Sequence, residues 1–118
     1  MTGVQTCALP IYSQYPASLS YETINGKLRG ELGYRGVVIT DDLQMGAISR
    51  KYGLKNTLAL AIYAGNDILL IGNQLNPQRV VSTQTLVEYI KSWVGHDKRR
   101  VKNIENSYLR IKRLKQKL

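Results

Sequence analysis

One cysteine, Cys7, is present in the whole chain, so no disulfide can close within it and cysteine usage indicates no redox compartment. Long apolar runs are missing as well. The longest, around Asp67-Ile68-Leu69-Leu70-Ile71, falls far short of the roughly 20 residues that a membrane-crossing helix needs. No Gly-x-x-x-x-Gly-Lys-Ser/Thr loop is found, which argues against a nucleotide hydrolase built on such a phosphate cradle. Internal repeats and low-complexity tracts are absent too. Acidic residues are few: 8 Asp and Glu stand against 17 Lys and Arg, a net charge of +9.

That excess is local. Residues 1–90 hold seven Lys/Arg and six Asp/Glu, whereas residues 91–118 hold ten and two. A terminal basic segment of this kind can bind phosphate, but it is also the ordinary solvated face of a surface helix. Of the 118 residues 43% are apolar and 21% charged, the composition of a chain that buries a core. At this length it supplies one domain at most.

The opening Met1-Thr2-Gly3-Val4-Gln5-Thr6-Cys7-Ala8-Leu9-Pro10-Ile11 has neither a helical nor an alternating period, no charge, and no basic n-region of a signal peptide. All eleven residues match the translation of a common short-read sequencing adapter begun at GTG. The expectation is that residues 1–11 are not native, that natural sequence begins near Tyr12, and that Cys7 carries no biological role.

From there helical and strand-like segments alternate. A helix is expected over about Tyr21 to Leu32, with Ser20 as N-cap, Ile24, Leu28 and Leu32 on its buried stripe, and Gly33 closing it. Val37-Val38-Ile39-Thr40 is a continuous β-branched run, which suits a strand covered on both faces in a parallel sheet. A loop from Leu43 to about Gly53 leads to a helix near Leu54 to Ala64, buried through Leu54, Leu58, Ala61 and Ile62 and stopped by Gly65. Asp67 to Ile71 reads as a second strand. A third helix is expected from Asn76 as cap and Pro77 at its first position, with Leu86, Ile90, Trp93 and Val94 facing the core. The last, about Lys98 to Leu118, sets Val101, Ile104, Tyr108, Ile111, Leu114 and Leu118 three or four residues apart. Crossovers of this length join parallel strands, so the class is α/β. Two strands alone leave edges exposed, and poor solubility is expected.

The informative residues are Asp41 and Asp42. They close the first strand at its carboxyl end, where loops of parallel α/β folds converge on ligands. Period two puts Asp41 on the face of Val37 and Ile39, and Asp42 on the face of Val38 and Thr40. Adjacent carboxylates on one site would push one pKa up, whereas opposite faces let both stay charged, so opposite faces are expected, with Asp42 bonded to backbone or to a basic neighbour. By themselves the two acids leave open a cap, a Mg²⁺ site, a phosphoryl acceptor and a catalytic group. His96, the only histidine, falls in the link between the last two helices and reads as a solvent-facing residue. The eight tyrosines are scattered as ordinary amphipathic packing.

Pro16-Ala17-Ser18-Leu19-Ser20, the run Leu28-Arg29-Gly30-Glu31-Leu32-Gly33-Tyr34-Arg35-Gly36-Val37-Val38-Ile39-Thr40-Asp41-Asp42-Leu43-Gln44-Met45-Gly46-Ala47-Ile48, and Ala61-Ile62-Tyr63-Ala64-Gly65-Asn66-Asp67-Ile68-Leu69-Leu70-Ile71 together resemble the late barrel of glycoside hydrolase family 3. The β-N-acetylhexosaminidase branch, which removes N-acetylglucosamine from peptidoglycan fragments, is the most similar. The resemblance covers nearly all of residues 12–118. It implies the C-terminal part of a (β/α)8 TIM barrel, its last two parallel strands with their outer helices. It also implies Asp41, directly after Thr40, as the nucleophile of a retaining glycosidase, and Met45 as a residue bordering the pocket.

In that branch the proton donor is a histidine supported by an aspartate on an earlier loop, which these residues lack, so inactivity of the isolated chain is expected. The implied partner is a carbohydrate substrate, with neither nucleic acid nor membrane, no cofactor or metal, and a monomeric full-length form. Two other readings stand beside it: a flavodoxin-like domain that takes Mg²⁺ or phosphate on Asp41 and Asp42, and a nucleic-acid binder acting through the basic helix after Lys98.

Overall fold

The computed structural model describes residues 15–44, 52–73 and 80–118. The segment expected to be non-native, together with Asn76 and Pro77, lies outside them. A short 3₁₀ turn, Ala17–Leu19, leads into a first helix α1, Glu22–Glu31, then strand β1, Ile39–Asp42, helix α2, Leu54–Ala64, strand β2, Ile68–Leu70, and helices α3, Thr83–Val94, and α4, Lys98–Gln116. The strands form a two-stranded parallel sheet, as the alternation requires.

Ser20 caps α1 by accepting the Thr23 N–H at 3.2 Å, but the helix is more widely wound than an α-helix. Its turns close over five residues, as in the Leu32 N–H to Lys27 carbonyl bond of 2.9 Å. Gly26 and Gly30 lie inside it and weaken its α-helical preference. Wider winding rotates each successive residue less, so the stripe expected at i, i+4, i+8 does not stay on one side. Ile24 is buried, Leu28 half-buried, and Leu32 is 77% exposed.

Helix α2 follows its sequence pattern closely. Leu58, Ala61 and Ile62 are buried and Leu54 is half-buried. Gly65 ends it at φ 114°, and a Cβ there would lie 2.8 Å from the Asn25 amide that donates to the Ala64 carbonyl. Leu19, Leu43, Leu58 and Ala61 form the core, so the segment before α1 and the turn after β1 pack on the same side of α2. Deleting a buried leucine of this kind costs about 2–5 kcal/mol.

The sheet is covered on one face only, contrary to the two covered faces expected for Val37 to Thr40. Thr40 is buried while its neighbour Ile39 is 59% exposed. The strand also pairs two residues later than the β-branched run begins. The Val38 carbonyl accepts from both Asp67 and Ile68, but the Val38 N–H donates to the Asp67 side chain instead of to a strand.

Helix α3 starts at Thr83, not near Pro77. The Ser82 side chain accepts the Thr85 N–H at 3.1 Å, and Asn73 holds the Val81 backbone on both its N–H and its carbonyl, which keeps Val81 outside the helix. Trp93 is half-buried, with the Arg100 guanidinium 4.7 Å above its ring, so a cation from the next helix covers part of it.

Helix α4 is capped by Asp97, which accepts from Arg99 and Arg100. Its inward side is not the purely apolar stripe expected. Tyr108 and Leu118 are exposed, while Ser107 and Arg110 point inward to Asp67, a side chain with no exposed surface. A buried carboxylate must be paired and hydrogen-bonded, and meeting that demand turns polar residues of α4 toward the sheet.

Candidate active site

The two ends of the sheet hold different chemistry. At the amino end the Asp67 carboxylate accepts from the Val38 N–H at 3.0 Å, from Arg29 at 2.7 Å, from Ser107 at 2.7 Å and from Arg110 at 2.8 Å. Arg29 also reaches the carbonyls of Gly36 and Gly65. Burial draws the Arg29 guanidinium below its ordinary pKa, while the Asp67 charge acts in the opposite direction. Every acceptor face of Asp67 is thus occupied, and this end serves to join α1, β1, β2 and α4. The sequence pattern gave no sign of it, since Asp67 reads as the start of a strand and Arg110 as one of many cations.

At the carboxyl end lie Asp41 and Asp42. Continuing the register of Ile39 opposite Ile68 would place Asp41 opposite Leu70, but Asp42 occupies that position. β1 therefore carries one extra residue, a bulge of the kind that re-aims side chains near functional sites. Asp42 Oδ1 accepts the N–H groups of Gln44 at 3.0 Å and Gly72 at 3.2 Å, which fulfils the expectation that Asp42 is spent on backbone. A Cβ on Gly72 would collide with Asp42 Oδ2.

Asp41 is exposed, and its side chain makes no hydrogen bond or ion pair with the described residues. Together with Ser18, Thr23, Tyr34 and Ile39 it lines an open cavity of about 430 Å³ between α1 and β1. Met45 lies outside the described residues. Gln44 and Asn73 exchange hydrogen bonds across this end: the Gln44 amide donates to Asn73 Oδ1 at 3.0 Å, and the Asn73 N–H donates to Gln44 Oε1. Asn73 is the only non-glycine residue of positive φ among the described residues, at 54°. His96 is exposed in the turn between α3 and α4. Among the described residues no three His, Cys, Asp or Glu side chains converge as a metal site would require.

The model of the glycosyl hydrolase family 3 N-terminal domain matches residues 1–114. This chain belongs to glycoside hydrolase family 3.

Among its relatives, beta-hexosaminidase A of Pseudoalteromonas piscicida is 31% identical over 104 residues, which span 87% of this chain and 17% of that protein. The beta-hexosaminidase of Vibrio cholerae is 32% identical over 105 residues, 89% of this chain and 31% of the relative. The family 3 β-N-acetylglucosaminidase of Paenibacillus sp. FPU-7 superposes with a TM-score of 0.67 at 36% identity, over 88% of this chain and 19% of its own. For the β-N-acetylhexosaminidase of Beutenbergia cavernae the TM-score is 0.74 at 26% identity, over 87% and 29%. The chain thus spans less than a third of the length of each of these proteins. Its two parallel strands and their helices are a portion of the family's barrel.

Proposed function

We propose that residues 12–118 are the C-terminal part of the catalytic domain of a retaining β-N-acetylhexosaminidase acting on N-acetylglucosaminides such as peptidoglycan fragments, with Asp41 as its nucleophile. The observation that carries this reading is the contrast between neighbours: Asp42 is committed to two backbone N–H groups, while Asp41 stands exposed on a bulge at the carboxyl end of a parallel strand. The names of the relatives support the choice of sugar.

In the reaction an Asp41 carboxylate oxygen attacks the anomeric carbon from the face opposite the leaving group. The glycosidic C–O bond breaks as the leaving oxygen takes a proton from a general acid, and the sugar stays joined to Asp41 as an ester. Water then attacks the same carbon, giving its proton to the group that acted as acid, and the Asp41 carboxylate departs. Two inversions retain the β configuration. The acid is assigned to the upstream barrel, so the 118-residue chain alone is inactive. Met45 is assigned to the pocket rim.

The test is release of a chromogenic aglycone from an N-acetylglucosaminide by the full-length enzyme, with and without Asp41→Asn. Loss of turnover in the variant is expected. Near-normal turnover would remove Asp41 from its role, and cleavage of a glucoside alone would overturn the choice of sugar.

A further inference from the structure

The residues on either side of Asp41 use their side chains on the backbone of β2 and of the residues just after it. The Leu70 N–H donates to the Thr40 hydroxyl at 3.0 Å, and the Gly72 N–H donates to the Asp42 carboxylate at 3.2 Å. Between them the Leu43 N–H returns to the Leu70 carbonyl at 3.0 Å. These bonds bracket the position where β1 has one residue more than its partner. An extra residue ordinarily loosens a ladder locally, because one residue goes unpaired. Here side chains of the strand itself close the gap. Thr40 is buried, so its hydroxyl is shielded from water, and being β-branched it has few alternative rotamers.

We propose that Thr40 is a positioning residue: its hydroxyl, by holding the Leu70 N–H, fixes the bulge and so the direction of the Asp41 carboxylate. The inference rests on Asp41 being the nucleophile. A threonine that served packing alone would need its two methyl-sized branches and not its oxygen. Valine reproduces that shape, serine keeps the oxygen without the methyl, and alanine has neither. The three variants separate the contributions.

The experiment measures KM and kcat for N-acetylglucosaminide hydrolysis by the full-length enzyme, with the urea unfolding transition giving the folded fraction of each preparation. Thr40→Val and Thr40→Ala are expected to lose about ten- to a hundredfold in kcat per folded molecule, the cost of misplacing a reacting group, with KM little changed. Thr40→Ser is expected to stay near the parent value. Normalising to the folded fraction removes any loss from unfolded molecules, and Thr40→Ala serves where Thr40→Val folds poorly. Equal kcat in the parent and in both hydroxyl-free variants would overturn the proposal while leaving the nucleophile in place. A parent-like kcat in Thr40→Val with a loss in Thr40→Ser would overturn it too, by assigning the effect to packing. Full activity of Asp41→Asn would instead remove the reading on which it rests.

Discussion

Asp67 and Asp41 sit at opposite ends of the same pair of strands and have opposite fates. The Asp67 side chain has no exposed surface and binds two arginines, a serine and a backbone N–H. Asp41 is exposed and has no polar partner among the described residues. A buried carboxylate persists only when its acceptor sites are filled, so the amino end is built for cohesion. An acid without a polar partner, beside one whose Oδ1 is anchored by two backbone N–H groups, is the one left available for chemistry. With Asp41 as the proposed nucleophile, the fold would separate stability from reactivity along a single strand direction, the division expected of parallel β/α architectures.

The largest effect is expected at Asp41. Replacement by asparagine in the full-length enzyme is expected to lower kcat by about a thousandfold or more, as for other enzymes that lose their nucleophile, while the urea unfolding midpoint stays close to that of the parent. A large stability loss with retained activity would exchange the roles of the two ends.

Next in size is Asp67→Ala, which leaves Arg29 and Arg110 without a counter-charge. Removing one partner of a buried ion pair costs about 3–5 kcal/mol, read as a fall in the urea midpoint of the full-length protein. A loss below about 1 kcal/mol would show that the amino-end network contributes little. Gly72→Ala is expected to cost about 1–3 kcal/mol, because its new methyl group meets the Asp42 carboxylate. This variant sharpens the comparison by linking the anchored acid to the geometry of the free one. Smallest is Glu31→Gln, which breaks the exposed pair with Lys27 at 3.1 Å and is expected to change stability by less than about 0.5 kcal/mol.

How much of this could be read from the residues differs between elements. α2 is legible because its Leu and Ala stripe, its length and Gly65 all specify the same helix. The parallel pairing follows from strand, helix, strand spacing. Asp42's commitment to backbone is legible because two adjacent acids cannot both serve one site cheaply. The bulge is not, since register depends on tertiary hydrogen bonds that leave no periodic trace. α4 misleads for a related reason. Its apolar positions describe a stripe, yet the buried charge of Asp67, distant in sequence, decides that Ser107 and Arg110 face inward. The start of α3 is set in the same way, by Ser82 and by Asn73 eight residues before Val81, and not by the proline that favours an earlier turn.

The account depends most on a bond forming between Asp41 and the sugar. A slow 5-fluoro N-acetylglucosaminyl substrate, incubated with the full-length enzyme and followed by peptic digestion and mass spectrometry, traps that ester. The mass of one glycosyl group on the peptide containing Asp41, absent in Asp41→Asn, is the expected result. Label on any other carboxylate, with the Asp41 peptide unmodified, would contradict it.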